Sequence, residues 1–284
     1  MSDHAATSFD ARIVLRPRTL DETLDLTLAY LQAGFRDFRR LFAVLFGIEA
    51  ACAALCFWIF SESTNVWGIT ATALLILGPV LERSVTVFTG RHLFGNRCSV
   101  WASFSRTLQK TPSLLAASVF AGLPLIPMLL TGFEENVWIG LATMAMMFWP
   151  FLLAAGVYGF EVSLLEQLST GQAWRRARAL ISFRYGRALG LLSVSVTLRL
   201  LFAFVVHETT MFVLEFVLQF EGFGDTLAYW PAIAGYLIAG PFIAIVRVFD
   251  YVDARTRREG WDIQVRFNAI AQKAEDALKG HAGP

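Results

Sequence analysis

The chain has 284 residues, 24 Lys and Arg against 23 Asp and Glu, a formal net charge of +1, 17% charged residues and 56% hydrophobic ones. An ordinary soluble domain carries about 25% charged and about 45–50% apolar residues, so that class is excluded. The apolar excess, expressed as a mean hydropathy of +0.54, falls in blocks rather than at a period of 2.0 or 3.6, the pattern of an all-α, polytopic membrane helical bundle. Three cysteines are too few for a disulfide framework. Cys52 and Cys56 lie four apart in an apolar block with no third ligand and read as small buried hydrophobes, and Cys98 sits in a basic loop. No cofactor is implied.

Residues 1–18 form a polar cytoplasmic tail with no basic region leading into an apolar one, so no cleavable leader is expected. Thr19-Leu20-Asp21-Glu22 fits a capping box and opens an amphipathic helix with Leu24, Leu28, Leu31, Phe35 and Phe38 on one face. Two spans follow, Leu41–Phe60 and Val66–Leu81; the second is short before Glu82-Arg83 and is expected to continue as helix into the cytoplasm. Ser99 opens a second amphipathic stretch (Val100, Trp101, Phe104 and Leu108 on one side, Arg106 and Lys110 off it). Spans Ser113–Leu130 and Val137–Phe160 come next, the latter free of charge throughout. Ser169-Thr170 opens a third stretch, with Trp174, Ala177 and Ile181 on one face and Arg175, Arg176 and Arg178 around the other. Spans Ala188–Val206 and Leu227–Val248 complete six, each near the ~20 residues that cross a ~30 Å hydrocarbon core. Thr210–Phe220 either extends the fifth helix or lies on the outer surface. Residues 251–284 form a cytoplasmic helix and tail. Pro79, Pro124, Pro127, Pro150 and Pro241 read as packing kinks or as transport hinges.

Orientation follows from the cations. Ser61–Asn65, Thr131–Asn136 and His207–Thr226 contain no Lys or Arg but hold Glu62, Glu134, Glu135, Glu208, Glu215, Glu221 and Asp225. The other side carries Arg36, Arg39, Arg40, Arg91, Arg97, Arg106, Lys110 and the arginines from Arg175 to Arg187 and Arg255 to Arg266. This positive-inside bias predicts both termini in the cytoplasm. The basic amphipathic stretches suit a headgroup layer of anionic lipid. The domain 19–250 then divides into three tandem units, 19–90, 98–161 and 169–250, each an elbow helix and a hairpin; the alternative is that inter-span loops are simply amphipathic.

Charges within spans are costly and therefore informative. Glu49 lies eight residues beyond Leu41 and Arg199 eleven beyond Ala188, a depth difference of ~5 Å at about 1.5 Å per residue. A Glu49–Arg199 pair is expected, as a packing salt bridge or a proton or substrate site, unless Arg199 snorkels outward. Glu82, Arg83, Glu161, Arg247 and Asp250 mark the inner boundary, where Arg247 and Asp250, three apart, are expected to meet Glu82 or Glu161 and close the bundle or gate it. Past Tyr251, Asp253, Arg255, Arg257, Arg258 and Glu259 form either a solvated face or a surface that docks on the elbow helices, lipid headgroups or a partner. Gly260 is expected to end the helix, Trp261 to anchor at headgroup level, and Asp262 to cap the next helix. The intermixed acids and lack of interleaved aromatics argue against nucleic acid. His207-Glu208 lacks the second histidine of a zinc motif, and no phosphate loop or nucleophile elbow occurs.

Three stretches and a C-terminal run carry a likeness: Leu15-Arg16-Pro17-Arg18-Thr19-Leu20; Gly95-Asn96-Arg97-Cys98-Ser99-Val100, which lacks the proline usual there; Leu164-Leu165-Glu166 with Ala173-Trp174-Arg175-Arg176; and Asp253-Ala254-Arg255-Thr256-Arg257-Arg258-Glu259-Gly260-Trp261-Asp262. The chain resembles an uncharacterised bacterial family of six-helix integral membrane proteins, whose membrane domain is also found fused to some glycerophosphodiester phosphodiesterases. The resemblance implies fold and location but no activity and no catalytic residues. It also implies partners, since related proteins are often encoded beside an AAA-type ATPase and von Willebrand A-type proteins. The sequence reading is therefore a non-enzymatic scaffold or accessory subunit, with a small-molecule or lipid transporter using Glu49 and Arg199 as the alternative.

Overall fold

The computed structural model describes residues 18–63, 65–93, 99–123, 126, 150, 153–154, 156–182, 184–219 and 229–260. All regular structure among them is helical: α1 (Leu20–Ile59), α2 (Val66–Leu81), α3 (Arg83–Leu93), α4 (Val100–Gln109), α5 (Thr111–Gly122), α6 (Gly159–Leu165), α7 (Thr170–Ile181), α8 (Tyr185–Met211, continuing as a π-helix over Phe212–Val217) and α9 (Trp230–Glu259). Four stretches are long and apolar enough to cross a membrane by length and composition: Leu20–Ile59, Val66–Leu93, Tyr185–Val217 and Trp230–Glu259. Helix α5 is apolar but shorter. Of the six expected spans, most of the fourth and the end of the third lie outside the described residues.

Helix α1 begins as its sequence dictates: the capping box is present, with the Thr19 N–H donating to Glu22 at 3.2 Å. The expected elbow and first span are, however, one uninterrupted helix of 40 residues. No proline or turn signal separates Phe35 from Leu41, so nothing local stops the helix. At about 1.5 Å per residue it is roughly 60 Å long, twice the hydrocarbon thickness, so only half of it fits in a bilayer core. Its N-terminal half leaves Leu28 and Phe35 exposed while burying Phe38.

The second expected span does continue: α2 pauses for one residue at Glu82, three after Pro79, and resumes as α3. Helices α4 and α7 start at Ser99 and Ser169 as their caps predict. The Ser99 side chain accepts from Ala102 N–H, and Ser169 forms a capping box with Gln172. The face read from the α4 sequence is split, because Phe104 is buried whereas Trp101 and Leu108 are exposed. Thr210–Val217 prolongs the fifth helix.

Helix α9 is the centre of the bundle and packs against α1, α2, α3, α6, α7 and α8. Small residues make this possible. A Cβ on Gly235 would collide with the Phe202 carbonyl of α8, and one on Gly240 with the Glu82 carboxylate. Around it Phe38, Leu41 and Leu45 of α1, Val85 of α3, Leu191 of α8 and Ile245 form a core of fully buried side chains. At the other end, Phe57, Trp67, Tyr229 and Trp230 pack ring to ring, with centroids 5.0 Å apart for Phe57–Trp67 and 5.1 Å for Trp67–Tyr229, the composition of an interfacial aromatic girdle.

Candidate functional site

Buried charges rise through this bundle in three tiers. In the upper tier Arg199 of α8 pairs with Glu82, at the α2–α3 junction, and stacks on Tyr236 of α9 with its guanidinium carbon 4.7 Å from the ring centre. The expected Glu49–Arg199 pair is not formed. Glu49 is fully buried, and neither of its carboxylate oxygens has a hydrogen-bond partner. Rise per residue sets the two groups at similar heights but leaves their azimuths open. Gly240 opens the space that lets Glu82 reach Arg199 first.

The middle tier is Glu161 of α6, fully buried, which accepts from Arg83 at 2.8 Å and from Arg247 at 3.0 Å. Arg247 also donates to the Val157 carbonyl, and the Arg83 guanidinium lies 4.2 Å from the centre of the Phe160 ring. Three elements that are distant in sequence are thus tied at one carboxylate. Removing one partner of such a buried pair typically costs about 3–5 kcal/mol. This realises the expected meeting of Arg247 with Glu161; Asp250, though one turn away, does not pair with Arg247.

Asp250 instead belongs to the lower tier. It is fully buried, accepts from the Tyr158 hydroxyl and pairs with Arg187 at 2.5 Å. One turn on, Asp253 is 3% exposed and gathers Arg184 at 2.9 Å, Arg187 at 3.3 Å, Arg257 at 3.2 Å and the Arg18 backbone N–H at 2.7 Å. Arg187 and Arg257 in turn donate to the Arg18 carbonyl. The reading of this run as a solvated face is therefore corrected for Asp253: it anchors the start of α1 and the α7–α8 junction. Beside it, Arg176 bridges Glu166 (3.3 Å) and Glu259. Arg255 meets Glu259 at 3.1 Å and Glu166 at 3.8 Å, and Tyr251 donates to Glu166 at 2.6 Å. Arg258 donates to Ser182 at 2.7 Å. Gly260, with φ 59°, ends the helix as expected. Arg175 and Arg178 remain exposed, the latter over the Trp174 ring; Trp261 and Asp262 lie outside the described residues.

Sequence reasoning missed Tyr158, Glu166, Arg184 and Arg187 as members of the site. The two arginines were absorbed into the positive-inside pattern, which explains a cation without asking for its partner. It also missed Tyr30, whose hydroxyl bonds His92 Nδ1, with Nε2 of His92 3.1 Å from Asp37.

Between the upper and middle tiers lies a cavity of ≈ 200 Å³ bounded by α2, α3, α5, α6, α8 and α9, whose lining includes Glu82, Arg83, Ser118, Ser195, Arg199, Tyr236 and Arg247. Arg83 Nε, Arg199 Nη1, Ser118 Oγ and Glu82 Oε1 are buried without partners; an unsatisfied buried polar group costs about 1–3 kcal/mol, more if charged. Among the described residues no three His, Cys, Asp or Glu converge as metal ligands. No family model, curated protein or solved structure matches this chain, so the three tiers and the cavity define the candidate site by their geometry.

Proposed function

We propose that this chain is a multi-pass protein of the bacterial cytoplasmic (inner) membrane, with six spans, elbow helices ahead of alternate spans and both termini in the cytoplasm. In this reading it is a non-enzymatic scaffold or accessory subunit. The lower and middle tiers carry the proposal. Opening the bundle toward the cytoplasm, as alternating access requires, would separate α9 from α3, α6 and α8. That motion breaks Arg247–Glu161, Arg187–Asp250 and Arg184–Asp253 together. At about 3–5 kcal/mol for each buried pair, the total is comparable with the ~5–15 kcal/mol stability of a whole domain. A bundle locked this way suits a fixed platform. Arg175 and Arg178, exposed on α7, with Trp101 and Leu108 exposed on α4, supply its contact surface, and the family resemblance suggests an AAA-type ATPase or a von Willebrand A-type protein as partner.

The test is purification from native membranes in mild detergent, comparing the wild type with the double variant Arg175→Glu and Arg178→Glu. A stoichiometric partner that the wild type retains and the variant loses supports the scaffold. A wild-type chain that elutes alone, or a partner held equally by both, refutes it. The second reading, a transporter of small molecules or lipids, is favoured by the partnerless Glu49 carboxyl beside the Glu82–Arg199 pair. Solute flux into vesicles that Glu49→Gln abolishes would establish it.

A further inference from the structure

The cavity between the upper and middle tiers is built unlike the rest of the core. Three residues that line it, on three different helices, each carry a buried donor without an acceptor: Nε of Arg83 on α3, Oγ of Ser118 on α5 and Nη1 of Arg199 on α8. Arg83 and Ser118 are 4% and 3% exposed, so bulk water does not satisfy them. The charge is also unbalanced. Arg83, Arg199 and Arg247 line the cavity, while Glu82 is engaged by Arg199 and Glu161 alone serves both Arg83 and Arg247. These five groups carry one excess positive charge. The free Oε1 of Glu82 sits against Gly240, where a Cβ would strike it, and Glu49 does not line the cavity.

The apolar walls include Leu75, Pro79, Phe160, Val196 and Ile243. Val196 is 57% exposed, so the cavity reaches the apolar outer surface of α8. At ≈ 200 Å³ it is smaller than the ~300–1,000 Å³ that encloses a drug-sized molecule. It is sized for a head, not a whole amphiphile.

We propose that this cavity is a binding site for a singly charged oxyanion head, such as the phosphodiester of a lipid that carries no cation of its own, whose apolar part leaves past Val196 along α8. The oxyanion accepts from Arg83, Ser118 and Arg199, and its charge offsets the excess of three guanidinium groups over two carboxylates, as charge-assisted hydrogen bonds in a low-dielectric site favour. The site requires neither transport nor a protein partner and stands apart from the scaffold reading.

The experiment uses the full chain in a neutral maltoside detergent, with bound lipid counted by native mass spectrometry. Phosphatidylglycerol and phosphatidylcholine of matched chains are compared, with glycerol 3-phosphate and inorganic phosphate as free anions. One phosphatidylglycerol should be retained at least tenfold more tightly than phosphatidylcholine. Val196→Trp, which narrows the exit and removes no member of an ion pair, should weaken retention tenfold or more, and Ser118→Ala severalfold, with elution profile and helix content unchanged. Displacement of the lipid by either free anion would assign the site to a soluble oxyanion of the same chemistry. Equal retention of both lipids with no effect of the free anions overturns the proposal. So does wild-type retention by both variants, which would place the lipid elsewhere.

Discussion

Helices α8 and α9 are nearly equal in length and apolar character, yet they do opposite jobs. Their most apolar 18-residue windows have mean hydropathies of 2.2 and 1.9, but 6% of the first is buried inside the protein and 61% of the second. The difference lies in side-chain size and in where charge falls. Helix α9 places Gly235, Ala239, Gly240 and Ala244 where neighbours approach, so backbones and the Glu82 carboxylate come close. Helix α8 turns Val196, Leu200, Leu201 and Phe204 outward, as a lipid-facing surface does. Its polar attachments are concentrated at Arg187 and Arg199. Hydropathy measures transfer into an apolar medium and does not distinguish lipid from protein interior; small residues and paired charges do.

This contrast can be broken in graded steps. The largest effect is expected from Glu161→Gln, which leaves Arg83 and Arg247 without their shared carboxylate and should destabilise by about 3–5 kcal/mol, read as loss of monodisperse protein or a large drop in Tm in detergent. An unchanged Tm would mean that α9 is not held by the middle tier. Next comes Glu82→Gln, expected near the lower end of that range because Arg199 keeps some exposure and its stacking on Tyr236. Glu49→Gln should cost far less, since its carboxylate accepts no hydrogen bond; a larger loss for Glu49→Gln than for Glu82→Gln would reverse the assignment of the upper pair. Gly235→Ala should cost about 1–3 kcal/mol by forcing α9 away from the Phe202 carbonyl, and thermal melting would detect it. The smallest change is expected for Leu200→Ala on the outer face of α8, within about 0.5 kcal/mol. A loss comparable with that of Gly235→Ala would show that this face is covered by protein.

Much of the helix plan is legible in the sequence, because it rests on local chemistry. The Thr19 and Ser169 boxes, the Ser99 cap, the Gly260 terminus and the continuation of α2 across Glu82 all involve residues within a few positions of one another. The break expected between the first elbow and the first span was wrong for the same kind of reason. A run of arginines marks where a helix leaves the hydrocarbon but does not end the helix. In the site, Glu161 with Arg247 was readable because both sit at the ends of long apolar segments, where few partners exist.

What the sequence by itself determined is therefore the set of apolar segments, their caps and the depth of each charge, quantities fixed by position along a helix of known rise. Only the tertiary structure decided which carboxylate meets which arginine, that Asp253 is buried rather than solvated, and that an unbalanced cavity lies between the tiers. Those outcomes depend on how each helix is rotated about its axis. That rotation is set by contacts such as Gly240 against Glu82 and Gly235 against Phe202, between residues far apart in the chain.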